Sequence, residues 1–156
     1  MALNASWRLF KRMQSTILAV AALVYVAAAA EAWRVPLAGS ALKLARTAIF
    51  PGLFFTLSFC GVLLVPVLRA ALVRHLWTSY RTGYGQSVIS VLGGVGVLIA
   101  VSGLIFWQIH QAMRGGGYPG GAFSGYGAGI GLLLAQTVLV RRIEDDPTLR
   151  RQIEEG

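Results

Sequence analysis

Few side chains in this sequence are equipped for chemistry, and those that are stand far apart. Glu31 is the acid nearest an apolar stretch, where an ionised carboxylate is costly unless it is paired or functional. Arg34 follows three residues later on the same helical face, so an ion pair at the membrane surface is one reading and a transport role the other. His110 and Met113 put an imidazole and a thioether three residues apart, ligand types that suit copper, but two residues do not make a site. His75 falls after the second apolar run and His110 after the third, so a bilayer would separate them and they cannot share a metal or haem. Cys60, within Ser58-Phe59-Cys60-Gly61, has no base beside it and reads as a small buried hydrophobe. No nucleophile–base–acid set is present and no carboxylate pair lies inside the apolar runs, so the sequence predicts no enzyme, no cofactor and no resident metal.

The small residues are more informative. Gly121, Gly125 and Gly129 recur every fourth residue, and Gly127, Gly131 and Ala135 form a second row at the same spacing. Ser90 with Gly94, and Gly96 with Ala100, repeat the pattern earlier. On a helix such rows make a smooth groove that lets another backbone come close. They predict that the third and fourth apolar runs pack tightly, on each other or on a neighbouring subunit, with a backbone-lined substrate path as the alternative use. They do not form a phosphate loop, since no strand precedes them and no Gly-Lys-Ser/Thr element is present. Gln136, a strongly polar side chain in the last run, is expected to hydrogen-bond across to another helix, worth about 1 kcal/mol.

The elements that position these residues follow from composition. Of 156 residues, 56% are hydrophobic and 13% charged, against about 25% charged in a typical soluble domain, and the mean hydropathy is +0.65. One domain's length cannot hide that much apolar surface in a soluble core. A soluble globular domain, a disordered tail and a disulfide scaffold are excluded, the last by the single cysteine. Four apolar runs, at 16–33, 48–68, 88–107 and 123–140, contain 18, 21, 20 and 18 residues. At about 1.5 Å per residue each approaches or exceeds the length needed to cross a hydrocarbon layer of about 30 Å. Backbone groups in lipid must satisfy one another, so each run is expected to be a helix. The predicted fold is all-α: an integral membrane four-helix bundle, one polytopic domain over residues 1–156.

Arg8, Lys11 and Arg12 before a run ending in Ala27-Ala28-Ala29-Ala30 also fit a secretory leader, but Trp33 and Arg34 make an interfacial anchor that favours a retained helix. Pro51 and Pro66 are expected to bend the second helix near its ends. Ser40 to Arg46, with Lys43 and Arg46 sharing a face, suggests a short interfacial helix in the first outer loop. Gly115 to Gly121 reads as a flexible outer loop, and Asp146-Pro147 as the start of a short cytoplasmic helical tail over 147–155. Trp7, Trp33, Trp77 and Trp107 all lie at run ends, as an aromatic belt requires.

The net charge of +8 would suit nucleic acid, but the basic residues flank apolar runs instead of forming a groove for phosphates. Ten of them fall on the side of both termini and the middle connection, and four (Arg34, Lys43, Arg46, Arg114) on the other. The positive-inside rule then puts both termini in the cytoplasm of a bacterial inner membrane.

From Gly61 to Trp107 the layout of apolar helix, Pro66, basic connection and apolar helix with Ser102-Gly103-Leu104 is loosely similar to that of small four-helix bacterial copper-resistance membrane proteins. The histidines expected early in such proteins are absent from the first run here, so no ligands carry over.

Small-residue grooves, few polar groups for a path and little mass outside the membrane together suggest a non-catalytic subunit or assembly factor of a larger membrane complex. Its expected partners are lipids and other integral subunits or a second copy, not nucleic acid. A small oligomeric transporter or channel using Glu31, Gln136 and the outer glycine loop is the alternative, and a redox or copper-handling membrane protein using His110 and Met113 a third.

Overall fold

A computed structural model of the chain describes residues 2–36, 38–81, 84–118 and 121–145, with side chains described at 12–36, 38–74, 95–118, 121–139 and 141–142. The elements are helices throughout: α1 (Ala2–Trp33), α2 (Ser40–Leu44), a π-turn (Ala45–Ile49), α3 (Phe50–Leu64), α4 (Pro66–Arg81), α5 (Tyr84–Met113) and α6 (Gly121–Asp145), with no strand among the described residues. Among the described residues, four segments are long and apolar enough to cross a membrane: Arg12–Trp33, Ser40–Leu64, Val95–Met113 and Gly121–Leu139. The predicted tail at 147–155 lies outside the described residues.

Both boundaries of the second span differ from the sequence reading, and a proline lies near each. Ser40–Leu44 is helical but is no separate element. It runs through the π-turn into α3, so the second long helix begins eight residues before Ala48. Within the π-turn the Phe50 N–H reaches back five residues to the Ala45 carbonyl. Pro51 follows at once, and a proline both lacks an N–H and crowds the carbonyl four residues earlier, here Thr47. Widening the turn relieves that crowding.

At the other end of α3, Pro66 stops the helix instead of bending it. Val65 is extended (φ −81°, ψ 112°), as a residue before proline prefers, and α4 starts directly after it. The basic connection is therefore a sixteen-residue helix, and the second span ends at Leu64, short of Leu68. Val73 of α4 joins Val62 of α3 and Ala135 and Leu139 of α6 in one apolar cluster, with Met13 and Ile17 of α1 against it, so α4 folds back onto this end of the bundle.

α6 packs most extensively on α3, and α1 on α5, while α5 and α6 touch only lightly. Of the two expected packings, on each other or on a neighbouring subunit, the first is not what the chain shows: within it the fourth span packs on the second. A second apolar cluster holds the opposite end, built on Ala28, Ala32, Val35, Ile105, Ile109 and Phe123. α5 closes there with Gly115 at φ +89°, where the Gly116 N–H bonds the Gln111 carbonyl at 2.9 Å and the Gly115 N–H bonds Ala112 at 3.2 Å. That pair of bonds is a Schellman cap, and the left-handed residue in it favours glycine. The glycine-rich connection therefore begins as a structured turn.

Candidate functional site

The two glycine rows of α6 have opposite surroundings. The row Gly127, Gly131, Ala135 faces α3. A Cβ on Gly127 would fall 2.9 Å from the Pro51 carbonyl carbon, and one on Gly131 would fall 2.5 Å from the Phe55 carbonyl oxygen and closer still to Ser58 Oγ. Ala135, one turn further on, is fully buried in the cluster with Val62. Backbone thus meets backbone along this seam. Ser58 exploits the approach: its hydroxyl lies 3.0 Å from the Phe55 carbonyl in its own helix and 2.9 Å from the Ala128 carbonyl of α6, sharing its proton between them.

The row Gly121, Gly125, Gly129 points the other way, and a Cβ on any of the three would meet nothing within 4 Å. Leu132, 47% exposed, and Gln136, half-buried, continue the same face at helical spacing. The expected bond from Gln136 to another helix is absent: among the described residues no hydrogen bond involves its amide. On α5, Gly96, Ala100 and Gly103 also face outward, with open space beside both glycines. Ser90 and Gly94 lie in α5, but their side-chain surroundings are outside the described residues.

The polar groups cluster where α1 ends. Its last carbonyls have no partners within the helix, and other elements supply them. Lys43 Nζ donates to the Trp33 carbonyl at 2.8 Å, and the Tyr118 hydroxyl donates to the Ala32 carbonyl at 3.0 Å. Trp33 Nε1 donates to Thr47 Oγ1 at 2.9 Å, and Thr47 Oγ1 donates to the Lys43 carbonyl at 2.6 Å. The Thr47 carbonyl, which Pro51 cannot serve, accepts instead from the Tyr25 hydroxyl of α1. The Tyr25 ring meets Phe123 edge-on at 5.8 Å and stacks on Tyr126 at 6.1 Å, joining α1 and α6 to the π-turn. Burial raises the Tyr118 phenol above its ordinary range.

Glu31 and Arg34 do form an ion pair, 3.0 Å apart and solvent-facing on both sides. His110 and Met113 are exposed, and no group of three metal-ligating side chains gathers among the described residues. Sequence reasoning missed the knot of Tyr25, Trp33, Lys43, Thr47 and Tyr118. Pro51 was its one visible sign, since it announces a carbonyl in need of a donor.

Among the described residues, the structure presents a helix face with room for another backbone and an amide without a partner. No protein-family model, curated protein or solved structure matches the chain.

Proposed function

We propose that this chain is a non-catalytic integral subunit, or an assembly or stabilising factor, of a larger complex in a bacterial inner membrane. The observation that carries the reading is the outward face of α6, where Gly121, Gly125 and Gly129 leave open space and the Gln136 amide has no hydrogen bond among the described residues. In a bilayer the apolar helices next to that face gain little from burial, because lipid is as apolar as they are. Close backbone approach and an interhelical hydrogen bond are the forces that remain, and this face is shaped for both. The parallel row on the same helix supports the reading by example, since Gly127 and Gly131 already receive α3 in this way.

The basic residues, ten against four, support a topology with both termini and α4 in the cytoplasm. The Glu31–Arg34 pair and the cap at the end of α1 then lie at the outer surface, where Lys43, Arg46 and Trp33 anchor the start of the second span.

Extraction from native membranes in a mild detergent, with mass and composition read on the intact particle, tests the assignment. Recovery with stoichiometric larger membrane proteins supports it. Recovery as a single chain, or as a homo-oligomer with nothing else attached, overturns it.

A further inference from the structure

The end of the bundle opposite the α1 cap carries the strongest charge asymmetry in the molecule. Arg12 precedes Met13, Arg74 follows Val73, and Arg141 and Arg142 follow Leu139 by two and three residues, and all three of these apolar side chains belong to one cluster. Arg69, on the first turn of α4, joins them. Arg12, Arg69, Arg141 and Arg142 are exposed, and the one acid among the described side chains, Glu31, is at the far end and already paired. Counting the whole sequence on this side, ten basic residues oppose five acids: Glu144, Asp145, Asp146, Glu154 and Glu155.

α4 gives this charge a geometry. It leaves α3 after a single extended residue, Val65, just where the apolar helix ends. Its sixteen residues are too few and too charged to cross a bilayer. Val73 and Leu72 hold it to the bundle, while Val67 (75% exposed) and Leu68 (49%) face away from the protein beside the arginines. Exposed apolar side chains next to exposed guanidiniums, at the end of a membrane-length helix, fit the boundary between acyl chains and headgroups. A partner protein's acidic surface would match the arginines but leave Val67 and Leu68 without a reason.

We propose that α4, with Arg12, Arg69, Arg141 and Arg142, forms a binding surface for anionic phospholipid headgroups, with Val67 and Leu68 dipping into the acyl boundary. The surface shares no residue with the outward glycine face of α6. It stabilises the fold by holding α4 flat against the bundle end, so lipid occupancy is readable as thermal stability.

The test is thermal unfolding of the purified full chain in a neutral detergent, titrated with phosphatidylglycerol, with phosphatidylcholine, or with inorganic phosphate. Phosphatidylglycerol is expected to raise the midpoint to a plateau, and the other two are not. Substituting R69Q, R141Q and R142Q together is expected to weaken the apparent affinity about fivefold per arginine, whereas R46Q with R114Q, at the opposite end, leaves it unchanged. On the wild type alone, salt raised to about 0.5 M should weaken the response, since these charges are exposed. An equal response to phosphatidylcholine overturns the proposal, as does a response to inorganic phosphate of the same size. Equal loss in the R46Q/R114Q control, or insensitivity to salt, overturns it too.

Discussion

Gly127 of α6 rests on Pro51 of α3 with no room for a methyl group between them. A neighbour two residues away, Gly125, has the same chemistry and nothing beside it. One helix thus shows both uses of a small residue, a seam already closed and a seam still open.

The contrast predicts opposite signs for one substitution. Alanine is the better helix former by up to about 1 kcal/mol, so Gly125→Ala is expected to leave the unfolding midpoint in detergent unchanged or higher. Gly127→Ala gains the same propensity but drives its Cβ into a backbone carbonyl that cannot rotate away. A net loss of about 2 kcal/mol is expected, with the same direction at Gly131. Equal midpoints for the 125 and 127 variants would remove the basis for assigning the two rows to different jobs.

The bond from Tyr25 to the Thr47 carbonyl exists because Pro51 offers that carbonyl nothing. Tyr25→Phe should therefore cost about 1 kcal/mol in the wild-type background. Pro51→Ala restores an N–H four residues after Thr47 and lets the π-turn relax to an α-helix. In that background Tyr25→Phe is expected to be nearly neutral, and a double-mutant cycle measures the difference. A full cost for Tyr25→Phe with and without Pro51 would show that the two residues are not coupled.

Tyr118 supplies a pH dependence. Its phenol is raised above the ordinary value of 10.0 by burial, so the folded state prefers the neutral form that donates to Ala32. The contribution is present in full below pH 10 and is lost as pH rises through the folded-state value. Stability measured from pH 8 upward, across that 10.0 reference, should fall in the wild type and fall less in Tyr118→Phe. Parallel curves would mean that the Tyr118 proton plays no part.

Much of this was legible in the sequence, for identifiable reasons. Apolar runs long enough to cross a bilayer leave the backbone one solution, so the four long helices could be read from length and composition. The Glu31–Arg34 pair could be read from spacing alone. Which face of α6 meets which helix could not, because two rows of small residues at the same spacing look alike until a partner is chosen. The extent of α3 and the existence of α4 turned on Pro51 and Pro66, whose effects depend on whether the chain around them stays in contact with the bundle. The bonds of Lys43 and Tyr118 to the end of α1 join residues 10 and 86 positions apart, beyond any local pattern.

Gln136 should matter to association and little to folding, since its amide bonds nothing within the described chain. Gln136→Leu is expected to leave the midpoint of the isolated chain within about 0.5 kcal/mol of wild type. Co-purification of partners should weaken. A large stability loss with association intact would reverse its assignment.

The most direct test of the central claim is the mass of the intact particle extracted in mild detergent, compared between wild type and Gly125→Leu. A leucine there has space in the isolated chain but fills the groove a second backbone would enter. The account predicts a wild-type particle carrying other membrane proteins in fixed ratio, and a Gly125→Leu chain that is folded but recovered alone. A wild-type particle of 16.7 kDa plus detergent, or a Gly125→Leu particle with its full complement of partners, would contradict it.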